Sequence, residues 1–101
     1  MERTIVINDL TIDVARRQAM LGDTPLELTP KEFDLLTFLA RNRGLVFRRE
    51  QLLEKVWGYD HAGYTRTVDV HIRWLRKKIE MDPGRPKRLI TIRSIGYKLE
   101  G

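Results

Sequence analysis

The run Arg66–Ile79, RTVDVHIRWLRKKI, constrains the fold most, because its apolar residues recur at helical spacing. Val68, Ile72, Leu75 and Ile79 stand at i, i+4, i+7 and i+11, which at ~100° per residue confines them to an arc of about 60°. On the same wheel Arg73, Arg66, Lys77 and Val70 fall at about 140°, 160°, 180° and 200°, with Trp74 at about 240°. The helix therefore buries one stripe and turns a mainly cationic face away from the core. Cations alone describe an ordinary solvated helix. Val70 and Trp74 are different, being apolar groups set where no core reaches them. An outward face of Arg, Lys and a small apolar residue suits the major groove of DNA, where Arg reads guanine edges and apolar atoms meet thymine methyls.

The chain has 101 residues, enough for one domain with a modest core and too few for two. At 42% hydrophobic and 33% charged it reads as folded rather than disordered. It holds no apolar run near the ~20 residues that a membrane span requires, and its first residues lack the basic stretch and apolar core of an export signal. A cytoplasmic location and no membrane partner are expected. The absence of cysteine removes disulfides and thiolate chemistry, in keeping with a reducing compartment. The net charge of +5 is uneven: residues 1–50 carry 8 Lys and Arg against 8 Asp and Glu, residues 51–101 carry 11 against 6. A one-sided basic excess is the electrostatic footprint of a nucleic-acid partner. An anionic membrane surface would attract it too, but a membrane-surface helix turns a broad apolar face outward, and this one turns its aliphatic stripe inward.

The first 28 residues read as three or four short antiparallel strands. They are Thr4–Ile7, Leu10–Val14, Gln18–Leu21 and Pro25–Leu28, separated by turn residues, with Gly22-Asp23 fitting a two-residue hairpin loop. Thr29-Pro30-Lys31-Glu32 is a strong helix start, with a capping hydroxyl, Pro at the first helical position and Glu three residues after the cap. That helix is expected to run to about Asn42 and to be apolar over a wide arc, as the central helix of the core, with Gly44 as its left-handed cap. Val46-Phe47 reads as a short extended link. A second helix is predicted over Arg48–Trp57, a loop over 58–65, and the third helix from Arg66 to about Met81, stopped by Asp82-Pro83-Gly84. The tail, residues 88–100, alternates around a turn near Ser94-Ile95-Gly96 and predicts a β-hairpin. Strands, three helices and a basic terminal hairpin give an α+β winged helix-turn-helix: an N-terminal antiparallel sheet, three helices and a hairpin wing, with the third helix entering the major groove.

Five blocks in one order carry a family resemblance. They are Leu28-Thr29-Pro30-Lys31-Glu32-Phe33 with Leu35-Leu36, Arg49-Glu50-Gln51-Leu52, Val56-Trp57-Gly58, Arg66 through Arg73, and Ile92-Arg93 with Gly96-Tyr97. With these the chain resembles, over essentially its whole length, the winged-helix effector domain of OmpR/PhoB-type response regulators, transcription factors of bacterial two-component systems. The resemblance implies sequence-specific binding of double-stranded DNA in control of transcription. It makes Val70 and Arg73 base readers, and Arg66, Thr67, His71 and Arg76 groove or phosphate contacts. It places Arg93 in the minor groove, Thr91 and Tyr97 at wing positions that hold the backbone, and Trp57 as an indole donor to a phosphate. The loop with Tyr59, Asp60, His61 and Tyr64 corresponds to the segment that the family turns toward RNA polymerase. Family members bind tandem half-sites, so a monomer alone and a head-to-tail pair on DNA are expected. They also carry an N-terminal receiver domain, so residues 1–101 are expected to be an isolated effector domain or a fragment.

Many relatives carry an arginine where this chain has Trp74. A Trp neither neutralises a phosphate nor forks to guanine, so Trp74 is expected to touch DNA or a neighbouring protomer. Lys77 is expected on phosphate. Plainer readings stand beside these: Arg93 as a hairpin surface charge, Trp57 and Tyr97 as aromatics of the core rim, and His71 as a packing histidine, since His61 lacks zinc-ligand spacing to it. Asp69, a lone acid among cations, is expected to pair with a nearby arginine and position it. A winged helix also serves protein contact or RNA binding, which is the alternative function. No Gly-rich phosphate loop, nucleophile with a base or metal constellation is present, so no cofactor and no enzymatic activity are expected.

Overall fold

The short alternating segments at the start of the chain pair in sequence order. In the computed structural model, which describes residues 3–58, 60 and 64–101, β1 (Thr4–Ile7), β2 (Leu10–Asp13), β3 (Gln18–Leu21) and β4 (Thr24–Pro25) form an antiparallel sheet. Ile7 pairs with Leu10 around Asn8-Asp9, and Leu21 with Thr24 around Gly22-Asp23, where Gly22 takes a φ of 61° as a two-residue hairpin demands. Alternation points Leu10, Ile12 and Ala19 into the core. The fourth strand ends at Pro25, short of the expected Leu28, because it pairs with only Leu21 and Met20 of β3.

Helix α1 (Pro30–Arg41) starts as its sequence directs. The Thr29 hydroxyl accepts from the Glu32 N–H at 3.2 Å, and Glu32 Oε1 accepts from the Thr29 N–H at 2.7 Å, a reciprocal capping box. Phe33, Leu35, Leu36, Leu39 and Ala40 make it the centre of a core to which every other layer contributes. Gly44, beyond the C-cap Asn42, has a φ of 85°, and its N–H reaches Leu99 O near the end of the chain.

Two elements differ from the sequence reading. Phe47–Arg48 is not merely a link but a strand, β5, paired with the terminal hairpin (Phe47 opposite Tyr97, Arg48 opposite Gly96). The second helix is not uniform: α2 (Arg49–Leu52) widens into a π-helical turn over Leu53–Trp57, where the Gly58 N–H bonds back five residues to Leu53 O at 3.0 Å. Lys31 Nζ from α1 donates to Val56 O in that turn.

Helix α3 (Arg66–Ile79) buries Val68, Ile72, Leu75 and Ile79, the stripe read from the sequence. It stops two residues before Met81. Glu80 leaves the helix in an extended conformation, and its buried carboxylate accepts from the backbone N–H groups of Lys87, Arg88 and Leu89. The acid thus folds the intervening turn back and starts β6 (Leu89–Ile92) beside the helix. After a three-residue turn with Ser94 at a φ of 65°, β7 (Gly96–Leu99) completes the three-stranded order β5-β7-β6. The fold is a winged helix.

Candidate nucleic-acid interface

The outward side of α3 has the character that its spacing requires. Arg66, Arg73 and Lys77 are exposed, Thr67, Val70 and His71 are half-buried, and Trp74 keeps 42% of its surface accessible. His71 does not stand free. Its Nδ1 lies 2.7 Å from Thr67 O, and since a carbonyl only accepts, Nδ1 carries the proton. The ring sits between two indoles, 4.9 Å from Trp57 at 78° and 4.9 Å from Trp74 at 56°. Trp57 packs against the core at the end of the π-helical turn.

Arg76, expected at a groove or phosphate, is engaged with the wing. Nε and Nη2 both donate to Leu89 O, at 3.0 and 2.8 Å, and Nη2 also donates to Thr91 Oγ1 at 2.7 Å. The guanidinium is thereby turned along the helix flank onto the wing, 5.7 Å from the Tyr97 ring centroid. Desolvation lowers its pKa, against the pull of Tyr97 and Glu80, although an arginine remains charged. Its first task is to hold β6 to α3. Thr91 and Tyr97 are engaged within the protein in the same way.

Tyr97 closes the other half of this clamp. Its hydroxyl donates to Asp69 Oδ1 at 2.7 Å, and Asp69 Oδ2 pairs with Arg49 Nη2 at 2.7 Å. Burial, and then the bond to Asp69, push the Tyr97 pKa up to about 12. Asp69 does pair with an arginine, and that arginine comes from α2. One carboxylate on α3 therefore ties the start of α2 to β7, while Arg76 on the next turns ties α3 to β6. A recess of about 480 Å³, lined in part by Arg48, Arg49, Ser94 and Tyr97, lies between the start of α2 and the wing.

Arg93 is exposed in the turn of the hairpin, at the end of the wing. The wing comes close to β5 because residue 96 is glycine: a Cβ there would stand 1.9 Å from Phe47 O. Beyond the C-terminal turn of α3, Pro83 and Gly84 border a recess lined by Arg73, Arg76 and Lys77. Of the loop residues expected to meet polymerase, Asp60 is exposed and Tyr64 is 69% accessible, whereas Tyr59 and His61 lie outside the described residues.

Sequence reasoning missed Arg49 and Glu80 as organisers of the site. Arg49 had no signal beyond its place in a motif, because the partner that gives it meaning is 20 residues away on another helix. Among the described residues, no group of His, Asp and Glu is arranged to hold a metal, and no helix is long and apolar enough to cross a membrane.

Comparison with known proteins agrees with this geometry. A family model described as "Transcriptional regulatory protein, C terminal" matches residues 23–99. The alkaline phosphatase synthesis transcriptional regulatory protein PhoP of Bacillus subtilis is 53% identical over 100 residues, covering 99% of this chain and 42% of that protein. The sensory transduction protein RegX3 of Mycolicibacterium smegmatis is 51% identical over 90 residues, covering 89% of this chain and 40% of its own length. The chain thus spans about two-fifths of these relatives. Among solved structures, the response regulator DrrB of Thermotoga maritima, an OmpR/PhoB homologue, superposes with a TM-score of 0.91 at 39% identity, over 99% of this chain and 45% of that one. The DNA-binding domain of Klebsiella pneumoniae RstA, in complex with the RstA box, superposes with a TM-score of 0.87 at 39% identity, over 98% of both chains.

Proposed function

The chain belongs to the C-terminal domain family of transcriptional regulatory proteins, of the OmpR/PhoB response-regulator type, and from that premise we propose that it binds double-stranded DNA at specific sequences to control transcription. The observation that carries the reading is the exposed row Arg66, Arg73 and Lys77 flanking Val70 and Trp74 on α3, with Arg93 at the end of a wing clamped to the same helix. Helix α3 enters the major groove. Arg73 and Val70 read base edges, and Arg66, Thr67 and Lys77 meet the backbone. The wing carries Arg93 into the adjacent minor groove, where narrow A·T tracts focus negative potential. Thr91, Tyr97 and Arg76 serve chiefly to hold that wing at its angle. This role requires no catalytic group and no cofactor.

The whole regulator's assembly is part of the same proposal. The domain, residues 1–101, is a monomer alone and pairs head to tail on tandem half-sites, as an effector unit controlled from outside these residues. The loop bearing Asp60 and Tyr64 is offered to RNA polymerase. The test is selection from a random duplex library at near-physiological salt, followed by sequencing of the bound fraction. Two enriched half-sites about one helical turn apart are expected. Binding without enrichment would leave only the nonspecific phosphate attraction and overturn the specificity; no binding would overturn the DNA reading in favour of protein contact.

A further inference from the structure

Phosphate attraction explains the cations of α3 but not Trp74. The indole is 42% exposed in a cationic face, four residues after Val70, so the two form a short apolar strip flanked by Arg73 and Lys77. Its ring is held rather than left to sweep. His71 packs against it at 4.9 Å, is itself packed against Trp57 at 4.9 Å, and is tied through Nδ1–H to Thr67 O. Trp57 is rooted at the core. A row of three rings therefore runs from the core rim to the outer face, and its last member is presented in a fixed orientation.

Resting on the DNA-binding reading, we propose that Trp74 is a specificity-determining residue that reads the 5-methyl group of a thymine, and that His71 is the positioning residue that sets the indole against it. The thymine methyl is the most prominent apolar group on the base edges of the major groove, so a fixed apolar face gains most there. A partner protein that covered Trp74 would also have to desolvate Arg73 and Lys77, whereas in the groove Arg73 meets a base edge and Lys77 a phosphate. Pre-setting the ring before binding removes the ordering that a free side chain would undergo on contact.

The test replaces each thymine of the selected site in turn by deoxyuridine, which lacks only the methyl. For the unaltered protein, one position should lose about four-fold in affinity, the equivalent of ~0.8 kcal/mol for one buried methyl. Trp74→Ala should bind thymine and uracil equally at that position, while Arg73→Ala should keep the difference. His71→Ala should shrink it, and His71→Phe, which retains the ring row, should restore it. A thymine preference that survives Trp74→Ala overturns the proposal, as does the absence of any uracil-sensitive position that depends on Trp74. A Trp74→Ala protein that loses only cooperativity between half-sites would assign the indole to a second copy of the chain instead. If the unaltered protein enriches no sequence at all, the failure belongs to the DNA reading beneath.

Discussion

The clamp between α3 and the wing makes a quantitative prediction through Asp69. Asp69→Ala removes the acceptor of the Tyr97 hydroxyl and the partner of Arg49 at once. A hydrogen bond to a charged group contributes ~1.5–3 kcal/mol, and the 35% exposure of the Asp69 side chain sets this one at the lower end. The Arg49 pair, with its arginine 43% exposed, adds about 0.5 kcal/mol. Asp69→Ala should therefore destabilise by about 2 kcal/mol and Tyr97→Phe by about 1.5 kcal/mol, with a coupling of about 1.5 kcal/mol in the double variant, read from urea midpoints at constant m. Tyrosinate absorbance gives a second reading of the same bond. Tyr97 is held up at about 12 by burial and by Asp69, above the ~10 of an unfolded tyrosine. The neutral hydroxyl is thus favoured by folding: its contribution is complete below pH ~10 and is lost as the pH rises through about 12. In Asp69→Ala the late-titrating tyrosine should move down, and in Tyr97→Phe it should vanish. A coupling near zero, with an unmoved titration, would refute the clamp.

Three further outcomes follow from other contacts. Gly96→Ala must push β5 away from β7 to relieve the 1.9 Å approach to Phe47 O, and should cost about 3 kcal/mol, whereas Gly22→Ala, in open space but at a φ of 61°, should cost about 1 kcal/mol; urea denaturation compares them. Glu32 is 1% exposed: burial pushes its pKa up, but Lys78 at 2.6 Å and the Thr29 cap outweigh that and lower it below the ordinary 4.5. Its stabilisation is present above pH 4.5 and lost as the pH falls through the lowered value, so Glu32→Gln should cost about 2 kcal/mol at neutral pH and flatten the acid limb of the stability curve. On DNA, Arg73→Ala should lose ~1–3 kcal/mol and relax preference at one base pair, while Lys77→Ala should weaken all sequences alike and reduce the salt slope by about 0.9; a changed base preference for Lys77→Ala would count against its phosphate assignment.

The parts of the fold written in periodicity were legible, and the parts written in long-range pairing were not. The stripe of α3 and the capping box of α1 depend on residues within one or two turns, so spacing alone reveals them. Strand β5 is two residues long and shows no alternation to detect; its partner lies about 50 residues onward. The π-helical turn was hidden because, over a single turn, the same apolar residues satisfy bonds to the fourth or the fifth residue back. At the site, exposure on α3 followed from the wheel, but the wheel assigns directions to Cβ atoms, not destinations to long side chains. Arg76 starts beside the aliphatic stripe, and its guanidinium reaches the wing because Leu89 O and Thr91 lie across the groove between the elements. Likewise Asp69 showed that it needed a cation without showing which one.

That the wing is fixed by polar contacts, rather than by the core alone, follows from where the core ends. Leu89 and Leu99 are fully buried at its base, but toward the turn Thr91, Arg93, Ser94 and Ile95 are all exposed and Ile92 is half-buried, so apolar contact thins toward the far end. Two four-residue strands are marginal by themselves. Adding β5 supplies a third strand, and β5 runs directly into α2, whose Arg49 meets the carboxylate that also receives Tyr97. The entry to α2, the outward turns of α3 and both wing strands are thereby joined as one body. Apolar burial is non-directional, whereas hydrogen bonds at 2.7 Å to a carboxylate and at 2.8–3.0 Å to a carbonyl fix an angle. The proposed placement of Arg73 in one groove and Arg93 in the next depends on that angle. Loosening the clamp should accordingly erase the advantage of Arg93 on A·T flanks while leaving the base preference of α3 intact.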